Sequence, residues 1–296
     1  MTVCVAAMAD GQWILAAADR MITTGDIEYE PPRSKIVNVS NAISILWAGD
    51  AAAQAEILPA VLREAGDRIE KNKDEWWLVS DVARLYQKHY FSLWRRHAEV
   101  RVLAPLNLDS GQLVRAVKDM ADTRWKYLVE EISKVEPLGV QAIIFGLDPS
   151  GTHIFVANDE RVECHDSVAF AAIGAGYRHA ESFLMFAKHT SSRSTPETLF
   201  DVYSAKKFAE AAPFVGEQTD LWFMGPPLGS RKVGENTIND TVIKELEVAY
   251  EESRKNQAES ASKASTKFQK ALDSMVQKAA TSTDQSADSK NQATSA

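Results

Sequence analysis

The sequence predicts an α+β domain in which strands and helices fall in separate blocks rather than alternating as βαβ units. Two patterns lead there. Apolar runs of strand length, bounded by turn residues, open the chain and return in its middle, and long stretches with apolar residues at helical spacing lie between them.

Val3 to Met8 and Trp13 to Ala18, separated by Ala9-Asp10-Gly11-Gln12, read as a β-hairpin that ties down the chain start. A loop with Gly25 and Pro31-Pro32 leads to two more strands, Lys35 to Val39 and Ala42 to Ala48, the second ended by Gly49. From Asp50 the period becomes helical over Ala52 to Lys71, Trp76 to Arg96 and Ser110 to Val135, the last built on Leu113, Val117, Met120, Trp125 and Leu128. Strands return at Val140 to Leu147 and Thr152 to Ala157, joined by Asp148-Pro149-Ser150-Gly151, and at Ser167 to Ile173. Helices at about Tyr177 to His189 and Pro196 to Ala212, a strand at Asp220 to Met224 and a helix at about Asp240 to Glu252 complete the domain.

The expected division is therefore a domain over 2–253, with a helical insertion at about 97–136, and a tail over 254–296. In the tail Ser, Ala, Lys, Gln and Thr dominate, which predicts a disordered or weakly helical segment with too little apolar surface to offset chain entropy. Phe268, Leu272, Met275 and Val276 lie at helical spacing within it and leave docking on a partner open.

Composition excludes several functions. The chain of 296 residues is 45% hydrophobic and 25% charged, that of a globular protein with a large core. A net charge of -8 disfavours a broad nucleic-acid or anionic-membrane surface. No apolar run approaches the roughly 20 residues needed to cross a bilayer. The N-terminus lacks a basic region and carries Asp10-Gly11 inside its apolar stretch, so it is a poor signal peptide. Cys4 and Cys164 are too few for a disulfide framework and lack the spacing of a zinc site, and the histidines show no metal-ligand spacing. The expectation is a cytoplasmic protein with a small-molecule or peptide site and no cofactor or metal.

Four stretches carry a more specific signal. They are Met1-Thr2-Val3-Cys4-Val5, Ala17-Ala18-Asp19-Arg20-Met21-Ile22-Thr23 with Gly25, Ser34-Lys35-Ile36-Val37, and Ala48-Gly49-Asp50-Ala51-Ala52-Ala53-Gln54. Together they resemble the amino-terminal part of proteasome β subunits and their bacterial relatives, the HslV protease and the Anbu proteins, in the spacing from Asp19 to Lys35 and on to Gly49. A weaker echo continues through Ile144-Phe145-Gly146-Leu147-Asp148 and Phe170-Ala171-Ala172-Ile173-Gly174-Ala175-Gly176. The resemblance implies a four-layer αββα sandwich of the N-terminal-nucleophile (Ntn) hydrolases, a threonine protease or amidohydrolase that acts on a peptide or amide, and assembly into a homo-oligomeric ring or spiral. An ATPase or other protein partner is left open.

The chemistry implied has its own logic. A threonine hydroxyl needs a base, and a free α-amine titrates at about 7.7 to 8.0, so a threonine at a mature N-terminus carries its own. Thr2, freed by loss of Met1, takes the nucleophile's place. Lys35 favours the developing alkoxide by charge, Asp19 fixes Lys35, and the Gly49 N–H receives the oxyanion.

Two departures stand beside this match. Thr2 to Asp19 is one residue longer than in the family, which either turns Asp19 to the wrong face or is absorbed by a longer turn or a β-bulge around Asp10-Gly11. The accessory serine of the family's Gly-Ser-Gly turn is Ala175 here, which offers no side-chain hydrogen bond. A catalytically silent scaffold or binding protein of the same fold is thus the alternative.

Other signals are discounted. Gly174-Ala175-Gly176-Tyr177-Arg178-His179 lacks the third glycine of a dinucleotide fingerprint. Adjacent residues in Cys164-His165-Asp166 point to alternating faces of a strand and cannot converge on one substrate. Cys4 reads as a buried strand residue, and Trp76, Trp77 and Trp94 as packing residues in helices.

Overall fold

A computed structural model describes residues 2–24, 27–32, 34–71, 77–116, 118, 120–226 and 236–292. The chain divides into two compact units, residues 1–240 and 241–296.

The first unit is mixed α/β with antiparallel sheets. Strands β1 (Val3–Ala9), β2 (Trp13–Asp19), β10 (Phe170–Gly174), β11 (Thr219–Met224) and β12 (Asn236–Thr237) form one five-stranded sheet in the order β10-β1-β2-β11-β12. A second, in the order β5-β6-β7-β8-β9, holds β5 (Ile36–Ser40), β6 (Ile43–Gly49), β7 (Val140–Asp148), β8 (Gly151–Ala157) and β9 (Val162–Cys164). Two short strands, β3 (Ile22–Thr24) and β4 (Ile27–Tyr29), pair with each other after β2, where the sequence suggested a loop. Strands β9 and β12 are likewise too short to read from periodicity.

The two five-stranded sheets meet face to face. Cys4, Ala6 and Met8 of β1 and Ala16 and Ala18 of β2 share one core with Leu46 and Ala48 of β6 and Ile143 and Phe145 of β7. Side chains alternate along a strand, so Val5, Ala7 and Ala17 point to the other side, where α5 (Tyr177–Phe186) and α6 (Thr195–Ala209) cover the sheet. Helices α1 (Ala51–Lys71) and α2 (Val79–Ala98) cover the outer face of the second sheet through Ile57, Val61, Val82 and Tyr86 packed on Ile45 and Ile144. The layers therefore run helix, sheet, sheet, helix. Burial on both faces explains why β1 reads as an unbroken apolar run rather than an alternating one.

The first hairpin keeps one register from Cys4 opposite Ala18 to Ala9 opposite Trp13. The turn Asp10–Gln12 between them holds Asp10 at φ 49° and Gly11 at φ 68°. The turn, not a bulge in the strands, takes up the length of this hairpin, and it docks through Asp10 N–H on the Arg193 carbonyl at 2.9 Å.

Two sequence expectations need correction. The third predicted helix is two, α3 (Ser110–Ala116) and α4 (Asp122–Ser133), whose Leu113 and Leu128 are buried together with Leu103. One apolar period spanning both pieces hid the break, and Val117 lies outside the described residues. Trp77 precedes α2 instead of lying within it, buried with Arg68 Cζ 4.6 Å from its ring centroid, and Trp76 lies outside the described residues. Of the two states open for the tail beyond Arg254, disordered or weakly helical, the second unit has helix there, as part of α7 (Asp240–Gln292). No Gly or Pro interrupts that stretch and Ala, Lys, Gln and Glu recur, so local propensity favours the helix. Among the described residues no helix is long and apolar enough to cross a membrane.

At the start of α2, Leu78 stands at the N-cap with no capping side chain, and Asp148 at the end of β7 accepts the Val79 N–H at 3.2 Å instead. Burial alone would raise the Asp148 carboxyl, but hydrogen bonds from Ser150 and Val79 outweigh it and hold the group below its ordinary range. A depressed folded value stabilises above the unfolded value of about 3.9 and is lost as pH falls through the folded one. Asp148→Asn should therefore cost about 1 kcal/mol at pH 7 in urea unfolding. The deficit relative to wild type should close in strong acid.

Candidate functional site

The chain start and two strand ends meet between the sheets. Thr2 precedes β1, Asp19 closes β2, and Lys35 precedes β5 of the facing sheet; all three are buried, at 2%, 0% and 2% exposure. The Thr2 hydroxyl donates to Asp19 Oδ1 and accepts from Lys35 Nζ. Lys35 Nζ also donates to Asp19 Oδ1 at 2.9 Å and to the Met21 carbonyl, so its three protons each have an acceptor.

Asp19 is held from all sides. Its Oδ1 also accepts the Val3 N–H at 3.1 Å, and its Oδ2 accepts the Gly216 N–H at 2.9 Å. The hairpin register sets this orientation, because it brings the carboxylate beside the first residues of β1. Of the two outcomes open for the longer hairpin, the structure has Asp19 turned toward Thr2 and Lys35.

Gly49 ends β6 at φ 92°, a conformation that suits glycine, and a Cβ there would lie 2.0 Å from the Gly139 carbonyl oxygen. Backbone alternation fixes where its N–H points. Leu147 of β7 donates to the Ala42 carbonyl just before β6, and Asp50 just after β6 donates to the Gly139 carbonyl beside β7, whereas Trp47 donates to the Lys35 carbonyl at 3.2 Å on the β5 side. Gly49, in step with Trp47, therefore aims its N–H toward the edge where Lys35 lies. A cleft of about 760 Å³ opens beside the next residue, Asp50, between Glu56 of α1, Arg96 at the end of α2, and Leu138.

The turn Gly174-Ala175-Gly176 closes over Thr2. Gly174, at φ 89°, packs so tightly that a Cβ would lie 2.1 Å from the Thr2 carbonyl oxygen. Its N–H donates to the Gln141 side chain at 2.9 Å, and the Gly176 N–H approaches the Thr2 carbonyl at 3.4 Å.

Sequence reasoning missed the support behind Asp19. Lys206 of α6 is fully buried and donates to the Gly216 and Glu217 carbonyls at 2.9 and 2.8 Å and to Glu210 at 2.5 Å. It thereby pins the turn whose N–H binds Asp19. Burial pushes the Lys206 ammonium below its usual range, and the carboxylate of Glu210 partly offsets that. The available signal was a lysine among the core-facing positions of a helix, next to Val202, Ala205 and Ala209.

The discounted groups do not join this site. Cys4 is buried with Sγ 3.4 Å from the Trp47 carbonyl, and burial pushes its thiol far above the ordinary range, so it is not a reactive thiol. His165 bonds the Phe170 carbonyl while Asp166 bonds His153 and the Ile154 N–H, so Cys164, His165 and Asp166 form no trio. Strand pairing among the described residues is antiparallel, which leaves no βαβ unit around Gly174. Among the described residues no group of three or more His, Cys, Asp and Glu is placed to hold a metal ion.

Gly174→Ala should destabilise the fold by about 2 kcal/mol or more in chemical denaturation, because a methyl group there must displace the Thr2 backbone and adopt a strained φ.

No protein-family model matches this chain, and no curated protein matches it.

Proposed function

We propose that the chain is a threonine-type amide or peptide hydrolase of the proteasome-like Ntn kind. In this reading Thr2 is the nucleophile once removal of the residue before it frees its amine. The observation that carries the proposal is the buried contact among the Thr2 hydroxyl, the Asp19 carboxylate and the Lys35 ammonium. The helix, sheet, sheet, helix layering and the aim of the Gly49 N–H support it.

The mechanism follows from these groups. The neutral α-amine of Thr2 takes the hydroxyl proton while Oγ bonds to the carbonyl carbon of the substrate. Lys35 stabilises the alkoxide, and Asp19, fixed by Val3 and Gly216, keeps the lysine in place. The oxyanion faces the Gly49 N–H. The tetrahedral adduct then expels the amine, which receives the proton held on the Thr2 amine, and leaves an ester on Oγ. Water, deprotonated by the same α-amine, hydrolyses that ester and restores Thr2. Peptides, isopeptides and small amides all suit the chemistry. With Thr2 at 2% exposure, processing must uncover the hydroxyl as well as free the amine.

Assembly into a homo-oligomeric ring or spiral is part of the proposal; Phe186 of α5 and Phe208 of α6, at 91% and 48% exposure, offer apolar surface for it. A silent scaffold of the same fold is the second reading. Ala175, which provides no accessory hydroxyl beside Thr2, favours it.

An epoxyketone directed at N-terminal threonine separates the two. The hydrolase reading expects one adduct, mapped to Thr2 by mass spectrometry, absent in Thr2→Ala and formed about 100-fold more slowly in Lys35→Met. Its rate should rise as pH passes through about 7.7 to 8.0, since only the unprotonated amine accepts the proton. Absence of an adduct on protein with a free Thr2 amine would leave the scaffold.

A further inference from the structure

We propose that Gln54 is a positioning residue that orients and polarises the Gly49 N–H through the peptide group it shares with Ala48. The inference rests on the reading of Gly49 as oxyanion donor. The Ala48 carbonyl and the Gly49 N–H belong to one planar unit, so whatever fixes the oxygen fixes the direction of the hydrogen.

Gln54 lies on α1 at 1% exposure among Ala53, Ile57, Leu58 and Val61, a core position where an amide is costly unless fully bonded. Its Nε2 donates to the Ala48 carbonyl at 3.1 Å and to the Gln141 carbonyl at 3.1 Å. Two carbonyl acceptors require the NH₂ end there, which leaves Oε1 to accept the Tyr86 hydroxyl at 3.1 Å. The amide therefore cannot turn over. Tyr86, on α2, is itself at 1% exposure, and burial pushes its phenol up, so it remains a donor across the working pH range.

Two consequences reach the site. Between the flanking cross-strand bonds of Leu147 and Asp50, alternation pairs Ala48 with Gln141, so the Ala48 oxygen takes a ladder N–H on one lone pair and Gln54 on the other. Two donors on a carbonyl draw charge from its peptide, and a chain from Tyr86 through Gln54 to the Gly49 N–H is polarised along its length. The second consequence concerns Thr2. Gln141, whose backbone Gln54 also holds, accepts the Gly174 N–H with its side chain at 2.9 Å, and Gly174 packs against the Thr2 carbonyl. One buried amide thus secures the oxyanion donor and the backbone around the nucleophile.

The test compares two reagents on the purified full chain. A peptide epoxyketone requires attack of Thr2 on a carbonyl and an oxyanion beside Gly49. A peptide vinyl sulfone takes the threonine oxygen on an alkene carbon and a proton on the next, with no carbonyl oxyanion. Gln54→Met should slow the epoxyketone about tenfold, less than outright loss of an oxyanion donor, and leave the vinyl sulfone within about twofold. Tyr86→Phe should act in the same direction, by about threefold, and carries the comparison if Gln54→Met does not fold. The Gly49 amide proton should also move upfield in either variant by NMR. Equal slowing of both reagents, no slowing of either, or an unmoved Gly49 resonance would overturn the role of Gln54 while leaving Thr2 as nucleophile. A wild-type protein inert to both reagents would instead remove the hydrolase reading, and this inference with it.

Discussion

The buried ion pair of Asp19 and Lys35, with the Thr2 hydroxyl between them, is the contact on which the rest of the first unit depends. Charges at 0% and 2% exposure are tolerable only when each proton and lone pair has a partner, since an unpaired buried ion costs several kcal/mol. Lys35 meets that demand with Thr2, Asp19 and Met21, and Asp19 meets it with Thr2, Val3, Lys35 and Gly216. The partners come from the first hairpin and the residues just after it, from the residue just before β5 of the facing sheet, and from the segment before β11. The pair therefore forms only when both sheets are assembled, which makes it a sensitive reporter of the whole sandwich.

Around that contact the protein spends further buried polar groups in a way that packing alone does not call for. Lys206 and Glu210 tie α6 to the turn that binds Asp19. Tyr86 and Gln54 tie α1 and α2 to the strand end at Gly49. The two outer helical layers thus each reach one side of the same site through a single fully buried polar side chain. Apolar residues of similar volume would fill both positions with less desolvation, so their presence points to geometry rather than stability.

Much of this was legible in the sequence, and the reason differs by residue. The hairpin, the strand pairs at Ile36–Ser40 and Ile43–Gly49 and the first two helices follow from period and turn chemistry, which are local. Thr2, Asp19, Lys35 and Gly49 stood out through the resemblance to proteasome β subunits and not one by one, and the structure brings the first three into contact and turns the N–H of the fourth toward the edge where Lys35 lies. The roles of Lys206, Gln141 and Gln54 were not legible, because each depends on a partner far away in the chain: Lys206 reaches Asp19 through Gly216, and Gln141 crosses between sheets to Gly174. The division of the helical insertion into α3 and α4 was hidden for a related reason, since no Gly or Pro marks it and Leu113 and Leu128 share their burial with Leu103, outside both helices. For the tail the sequence left disorder and weak helix both open, because it has few apolar residues yet no Gly or Pro, and α7 takes the helical course.

The proposed reaction requires that the amine of Thr2 be free to serve its own hydroxyl. Intact-mass measurement of the natively purified protein, together with sequencing of the first residues, reads this out. The expected result is a chain that begins at Thr2 with an unmodified amine. A chain that keeps a residue ahead of Thr2, or carries an acyl group on that amine, would contradict it, because the base required for attack would be blocked.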